Sequence, residues 1–133
     1  MIPPAPTRAP SLEELAQLAT DCFNELPREF RDLVDDIVFT VEEVPDEETI
    51  RRAGVGRGRT LLGLFRGANL AARIANRGTV LPTMIILYRQ PILNYWAHRG
   101  EPLKSIVRHV LVHEIGHHFG LSDAAMHAIE SGT

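Results

Sequence analysis

The sequence predicts an α+β domain in which a small mixed sheet is flanked by helices and a long helix lies near the C-terminal end. Three observations carry this. Ile37–Val44 alternates apolar and polar residues and is rich in β-branched side chains, a strand pattern. Met84-Ile-Ile-Leu-Tyr88 is a short apolar run bounded by Pro82 and Pro91. The segments around them repeat apolar residues at helical spacing between recognisable caps.

Taken in order, residues 1–10 hold four prolines and read as a loose tail, leaving residues 11–133 as one domain. Ser11-Leu-Glu-Glu14 is a capping box. Behind it Leu12, Leu15, Ala19, Cys22, Phe23 and Leu26 form one stripe, which Pro27 stops. Residues 27–36 predict a second short helix with Phe30, Leu33 and Val34 inward, and residues 45–54 a third with an acidic start. GVGRGR at 54–59 lacks the lysine and spacing of a phosphate-binding loop and reads as a linker. Thr60–Phe65 is a second strand, 66–82 a loop with a helical turn at 70–75, and Met84–Tyr88 a third strand. Pro91 opens a helix that Gly100 closes; Pro102 opens the last long helix, 102–119, with Gly120 as its stop.

Composition narrows the functional classes. A chain of 133 residues, 44% hydrophobic and 23% charged, suits one globular core. A net charge of -3 gives no footprint for nucleic acid or an anionic membrane. No apolar stretch resembles a signal peptide or a membrane span, so the expectation is a cytoplasmic protein. Cys22 is the one cysteine; on the first helix's apolar stripe it is a small core residue, with no partner for an intrachain disulfide.

The chemistry concentrates in HEIGHHFGLSD, residues 113–123. His113 and His117 lie one helical turn and about 40° apart, so both can reach one ion from the same face. Glu114 sits about 60° from His117, beside such an ion without having to be a ligand. That is the content of H-E-x-x-H: two ligands and a general base. Gly120 lets the chain leave the helix, and Asp123 can return as third ligand. The whole string is the metzincin spacing with aspartate in place of the last histidine. With 6 His and 11 Glu in 133 residues, chance gives H-E-x-x-H roughly two times in a hundred. Adding Gly120 and Asp123 lowers this to roughly one in ten thousand, so the motif is informative.

The chain resembles the small zincin-like metallopeptidases, or minimal zincins. LPREF near residue 26, LLGLFRG at 61–67, IILYRQP at 85–91 and VRHVLVHEIGHHFGLSD at 107–123 carry the resemblance, the last being the specific part. It implies a compact zincin-like single domain with a central zinc-binding helix. It also implies Zn2+ held by His113, His117 and Asp123, with Glu114 as the catalytic glutamate.

The expected activity is zinc-dependent hydrolysis of a peptide or protein substrate, with Glu114 moving the proton. The competing expectation is a zinc-stabilised binding module, which would more often be closed by four ligands and would not need Glu114. Thr60–Phe65 and Met84–Tyr88 are the strands expected to hold an extended substrate. His127 and Glu130 are alternative third ligands. His118 either orients Glu114 or simply ends the helix, while His109 and Arg108 mark the wetter side. Tyr88, Arg89, Tyr95 and His98 are candidates for stabilising an oxyanion, and Met126 is expected in the core.

Overall fold

The structure, a computed structural model, describes residues 9–34, 37–53, 61–66 and 83–131. Helix α1 spans Leu12–Asn24. Its capping box forms as read: the Ser11 hydroxyl accepts from the Glu14 amide and the Glu14 carboxylate from the Ser11 amide, each at 3.1 Å. Leu15, Ala19 and Cys22 are fully buried along its stripe. Burial pushes the Cys22 thiol above its ordinary pKa, against the pull of Lys104 and Arg108.

The second helix, α2, is only Arg28–Arg31. Phe30 and Val34 point inward as expected, but Leu33 is 39% exposed. The chain turns after Asp32, so the helical phase that would have buried Leu33 is lost.

Strand β1 (Ile37–Glu42) ends two residues earlier than its pattern suggests. Glu43 is occupied elsewhere: its carbonyl accepts from the Gln90 amide and its carboxylate pairs with Arg89 at 3.3 Å. Helix α3 spans Glu47–Ala53, β2 Gly63–Arg66 and β3 Thr83–Tyr88. β2 starts later than the Thr60–Phe65 expected, since Leu61 and Leu62 precede the strand, and it ends one residue later, at Arg66; the linker reading of 54–59, Thr60 itself and the helical turn at 70–75 lie outside the described residues.

The sheet order is β1-β3-β2, with β1 parallel and β2 antiparallel to β3. β3 is therefore central. Ile85, Ile86, Leu87 and Tyr88 are each at most 3% exposed, so both faces of the strand are covered.

Tyr88 leads directly into α4 (Arg89–Arg99). This helix starts two residues before Pro91, which is tolerated because the first-turn amides of a helix have no partner within it. Gly100, at φ 69°, closes it. Helix α5 spans Leu103–His118 behind Pro102. It ends in a Schellman turn: the Leu121 amide donates to the Gly116 carbonyl at 2.9 Å, and the Gly120 amide to that of His117 at 3.2 Å. Gly120 supplies the left-handed residue, φ 72°. Helix α6 (Asp123–Ser131) follows, capped by Ser122, whose hydroxyl accepts from the Ala125 amide at 3.1 Å. Among the described residues no helix is long and apolar enough to cross a membrane.

α5 is the centre of the packing. Val107, Leu111, Val112 and Ile115 are fully buried in a core shared with α1, β3 and Ile92 of α4. Two glycines set its distance from its neighbours. A Cβ on Gly63 of β2 would lie 2.7 Å from a Val110 methyl. A Cβ on Gly116 would collide with the side chain of Met126, itself fully buried on α6.

Gly116→Val should therefore destabilise the fold by about 1–3 kcal/mol through overpacking, outweighing a helix-propensity gain below about 1 kcal/mol. Urea unfolding followed by circular dichroism measures this. An unchanged or higher midpoint would mean that Met126 moves aside freely.

Candidate metal centre and active site

The last three turns of α5 expose a ladder of histidines at i, i+4 and i+8: His109, His113 and His117. Their opposite flank must be apolar to pack on the sheet, so the polar residues share one stripe. The His109 and His113 rings lie 4.0 Å apart by centroid, and His113 and His117 lie 5.7 Å apart and edge to face. The motif pair thus shares one face of one helix, as its spacing requires.

His113 is three-quarters covered, its side chain 27% exposed. Burial, and then the neighbouring His109, hold its pKa below the ordinary histidine value, although Glu130 pulls the other way. The unprotonated ring favoured by that shift is the form that ligates a metal.

Glu114 is partly buried beside β2. Its carboxylate accepts a hydrogen bond from the backbone amide of Phe65. Loss of water around it raises its pKa above the usual glutamate value, and the Phe65 amide and His117 only partly offset this. A glutamate with raised proton affinity, next to two imidazoles, has the character of a general base. His118 does not bond to Glu114 among the described contacts. Its ring stacks on Phe65 at 4.2 Å, against the residue whose amide holds that carboxylate.

Asp123 sits at the first position of α6 and is exposed. An aspartate there is also favoured by the helix dipole, a structural reason independent of any ion. Among the described residues, one group of three potential ligands has donor atoms within 4.8 Å of one another: His109, His113 and Glu130. The Glu130 carboxylate bridges the two rings, meeting His109 Nδ1 at 2.7 Å and His113 Nε2 at 3.2 Å. The structure thus joins His113 to Glu130, and it does not bring Asp123 into this group.

His127, the other alternative, is exposed on α6. His109 is solvent-facing, as expected, yet it also meets Glu130; its i, i+4 relation to His113 is the sequence signal for that grouping. The Phe65 amide had no signal, because a backbone donor is invisible until the strand is placed.

The oxyanion candidates are engaged elsewhere. Tyr88 is 2% exposed in β3. Arg89 donates to the Pro10 carbonyl at 2.7 Å and pairs with Glu43. Tyr95 lies under the Arg99 guanidinium, and His98 Nδ1 is 2.7 Å from the Asn94 carbonyl.

Imidazole nitrogens with neighbouring carboxylates form a donor set suited to zinc. A small α+β domain carrying this set on its central helix, with a carboxylate beside the pair, is the architecture of a zincin. The chain belongs to the zincin-like metallopeptidase family, whose model matches residues 34–133. Its fold is also similar to that of a conserved hypothetical protein of Thermus thermophilus, at 19% identity and a TM-score of 0.56, covering 83% of this chain and 94% of that one. No curated protein matches the sequence.

The raised pKa of Glu114 has a consequence for stability. Its carboxyl ionises less readily folded than unfolded, so its charge opposes folding above the folded pKa and has no effect below the unfolded one. In metal-free protein, Glu114→Gln should melt higher than wild type at pH 7. The gap should close as pH falls through the carboxylate range. Paired thermal melts from pH 4 to 7 test this, and a gap that widens toward acid would refute it.

Proposed function

We propose that the chain is a zinc-dependent peptide hydrolase, with His113, His117 and Asp123 holding the ion and Glu114 as general base. The observation that carries this reading is the placement of Glu114. It lies on the same helix as the histidine pair, half-withdrawn from water and steadied by the backbone of a strand. A purely structural site has no use for such a carboxylate.

Zinc, when bound, would acidify a water molecule and polarise the scissile carbonyl. The protein's own part falls to Glu114. It takes a proton from the attacking water and passes it to the amine nitrogen as the C–N bond breaks, ending in its starting state. The Phe65 amide keeps the carboxylate aimed while it is charged.

An extended peptide needs a strand with a free edge. β3, one of the two strands expected for this role, is paired on both sides and is excluded. β2 pairs only with β3 among the described residues, and its Phe65 already touches Glu114. A peptide laid along β2 would send alternate side chains to opposite faces of the sheet. One face is α5. Beside β2, Thr49, Arg52 and Ala53 of α3 join Leu64, Phe65 and Arg66 around a cleft of about 230 Å³. A lone buried cysteine fits a cytoplasmic place of action.

Glu114→Gln should keep its zinc while cleavage of an unstructured peptide pool, followed by mass spectrometry, falls by about 10²–10⁴-fold. Equal cleavage by both proteins would refute the assignment of the base.

Asp123→Ala should lower cleavage by at least the roughly 10–100-fold that loss of a partner behind a metal ligand already costs. If cleavage instead survives that change and disappears in Glu130→Ala, the third ligand is on the last turns of α6.

A further inference from the structure

The bridge between His109, His113 and Glu130 is unusual for its charge. The Glu130 side chain is only 24% exposed, and its ion-pair partners among the described residues are the two histidines, with no lysine or arginine. An imidazole that accepts or donates a hydrogen bond here brings a fixed positive charge to the carboxylate only when protonated. A bound cation would bring one at any pH at which the rings are free to ligate.

The spacing suits one. Two donors on a tetrahedral zinc, each about 2.0–2.1 Å from it, are separated by about 3.3 Å. His113 Nε2 and Glu130 Oε2 stand 3.2 Å apart, and His109 offers a donor within 4.8 Å of both partners. The set comes from two helices locked together at Gly116 and Met126, so it needs no loop to close over it.

We propose that His109, His113 and Glu130 form a second position for a divalent transition-metal ion of the zinc class, one that shares His113 with the HExxH pair. For that pair the inference rests on the ligand reading above.

Two consequences follow from the helix geometry. Nε2 of His113 faces Glu130 here and can ligate only one ion at a time, so the two positions exclude each other. An ion between His109 and His113 would also lie about 120° around the helix from Glu114, against about 80° for one between His113 and His117. It would lie farther around the helix from the base. The second position therefore stores the ion without activating water for Glu114, a resting arrangement reached by turning one imidazole.

Metal binding alone tests this, with Zn2+ measured by competition against a chromophoric chelator and Co2+ by its visible absorption. His117→Ala, which dismantles the HExxH pair, should still bind one equivalent. Adding His109→Ala or Glu130→Gln to it should weaken binding by more than about 100-fold. Circular dichroism and melting temperature confirm that each variant is folded. Wild type should bind one equivalent, and its Co2+ spectrum should differ from that of His117→Ala.

No ion in folded His117→Ala would overturn the proposal, as would binding indifferent to both second changes. Two equivalents bound at once to wild type would overturn the exclusion. None of these readings needs turnover, so failure of the peptidase assignment would appear separately, as cleavage indifferent to Glu114.

Discussion

The contact between Gly116 and Met126 governs the chemistry of this domain. α6 approaches α5 closely because Gly116 has no side chain, and Met126 fills the space left. One turn beyond Met126 stands Glu130, and that approach brings its carboxylate onto His109 and His113. A position that counts as unspecified in H-E-x-x-H thus carries a steric requirement of its own. The Schellman turn at Gly120 serves the same end by reversing the chain with almost no intervening loop.

The same helix has to reconcile two solvents. On one flank Val107, Leu111 and Ile115 are fully buried; on the other the histidines gather beside partly covered carboxylates. Glu114 lies at the boundary. It is far enough inside to lose water, yet near enough to β2 to find a backbone donor. A carboxylate in bulk water would be a weaker base, and one fully buried without a donor would be costly to ionise. The sheet's role in the proposed chemistry is therefore electrostatic as well as mechanical, exerted through one amide of its edge strand.

Much of this was legible in the residues. The capping box at Ser11, the apolar run at 84–88, the boundaries at Pro102 and Gly120 and the clustering of His113, Glu114 and His117 all rest on local rules of spacing and capping. What the local rules missed depends on neighbours distant in sequence. The end of β1 is set by Glu43 turning to α4, and the exposure of Leu33 by a turn that breaks helical phase. The central place of β3 did have a signal: its run is apolar without alternation, as a strand covered on both faces should be. Such a strand has no free edge to offer an extended substrate. Glu130 could be weighed from the sequence as a ligand, but only the packing of α6 decides which histidines it meets.

The turn between α5 and α6 also bears on how the molecule assembles. Glu130 meets His109 across 21 residues of sequence, most of them already helical, whereas β1 must find β3 from Ile37 to Thr83 before the sheet exists. Loop-closure entropy rises with the length of flexible chain to be closed, by about 0.6 kcal/mol per doubling, and contacts near in sequence form sooner. The histidine ladder and Glu130 thus belong to a local helical hairpin, whereas the contact of Phe65 with Glu114 joins an edge strand to a helix 49 residues further along the sequence. The donor groups for an ion are therefore gathered by a shorter chain closure than the one that anchors the base.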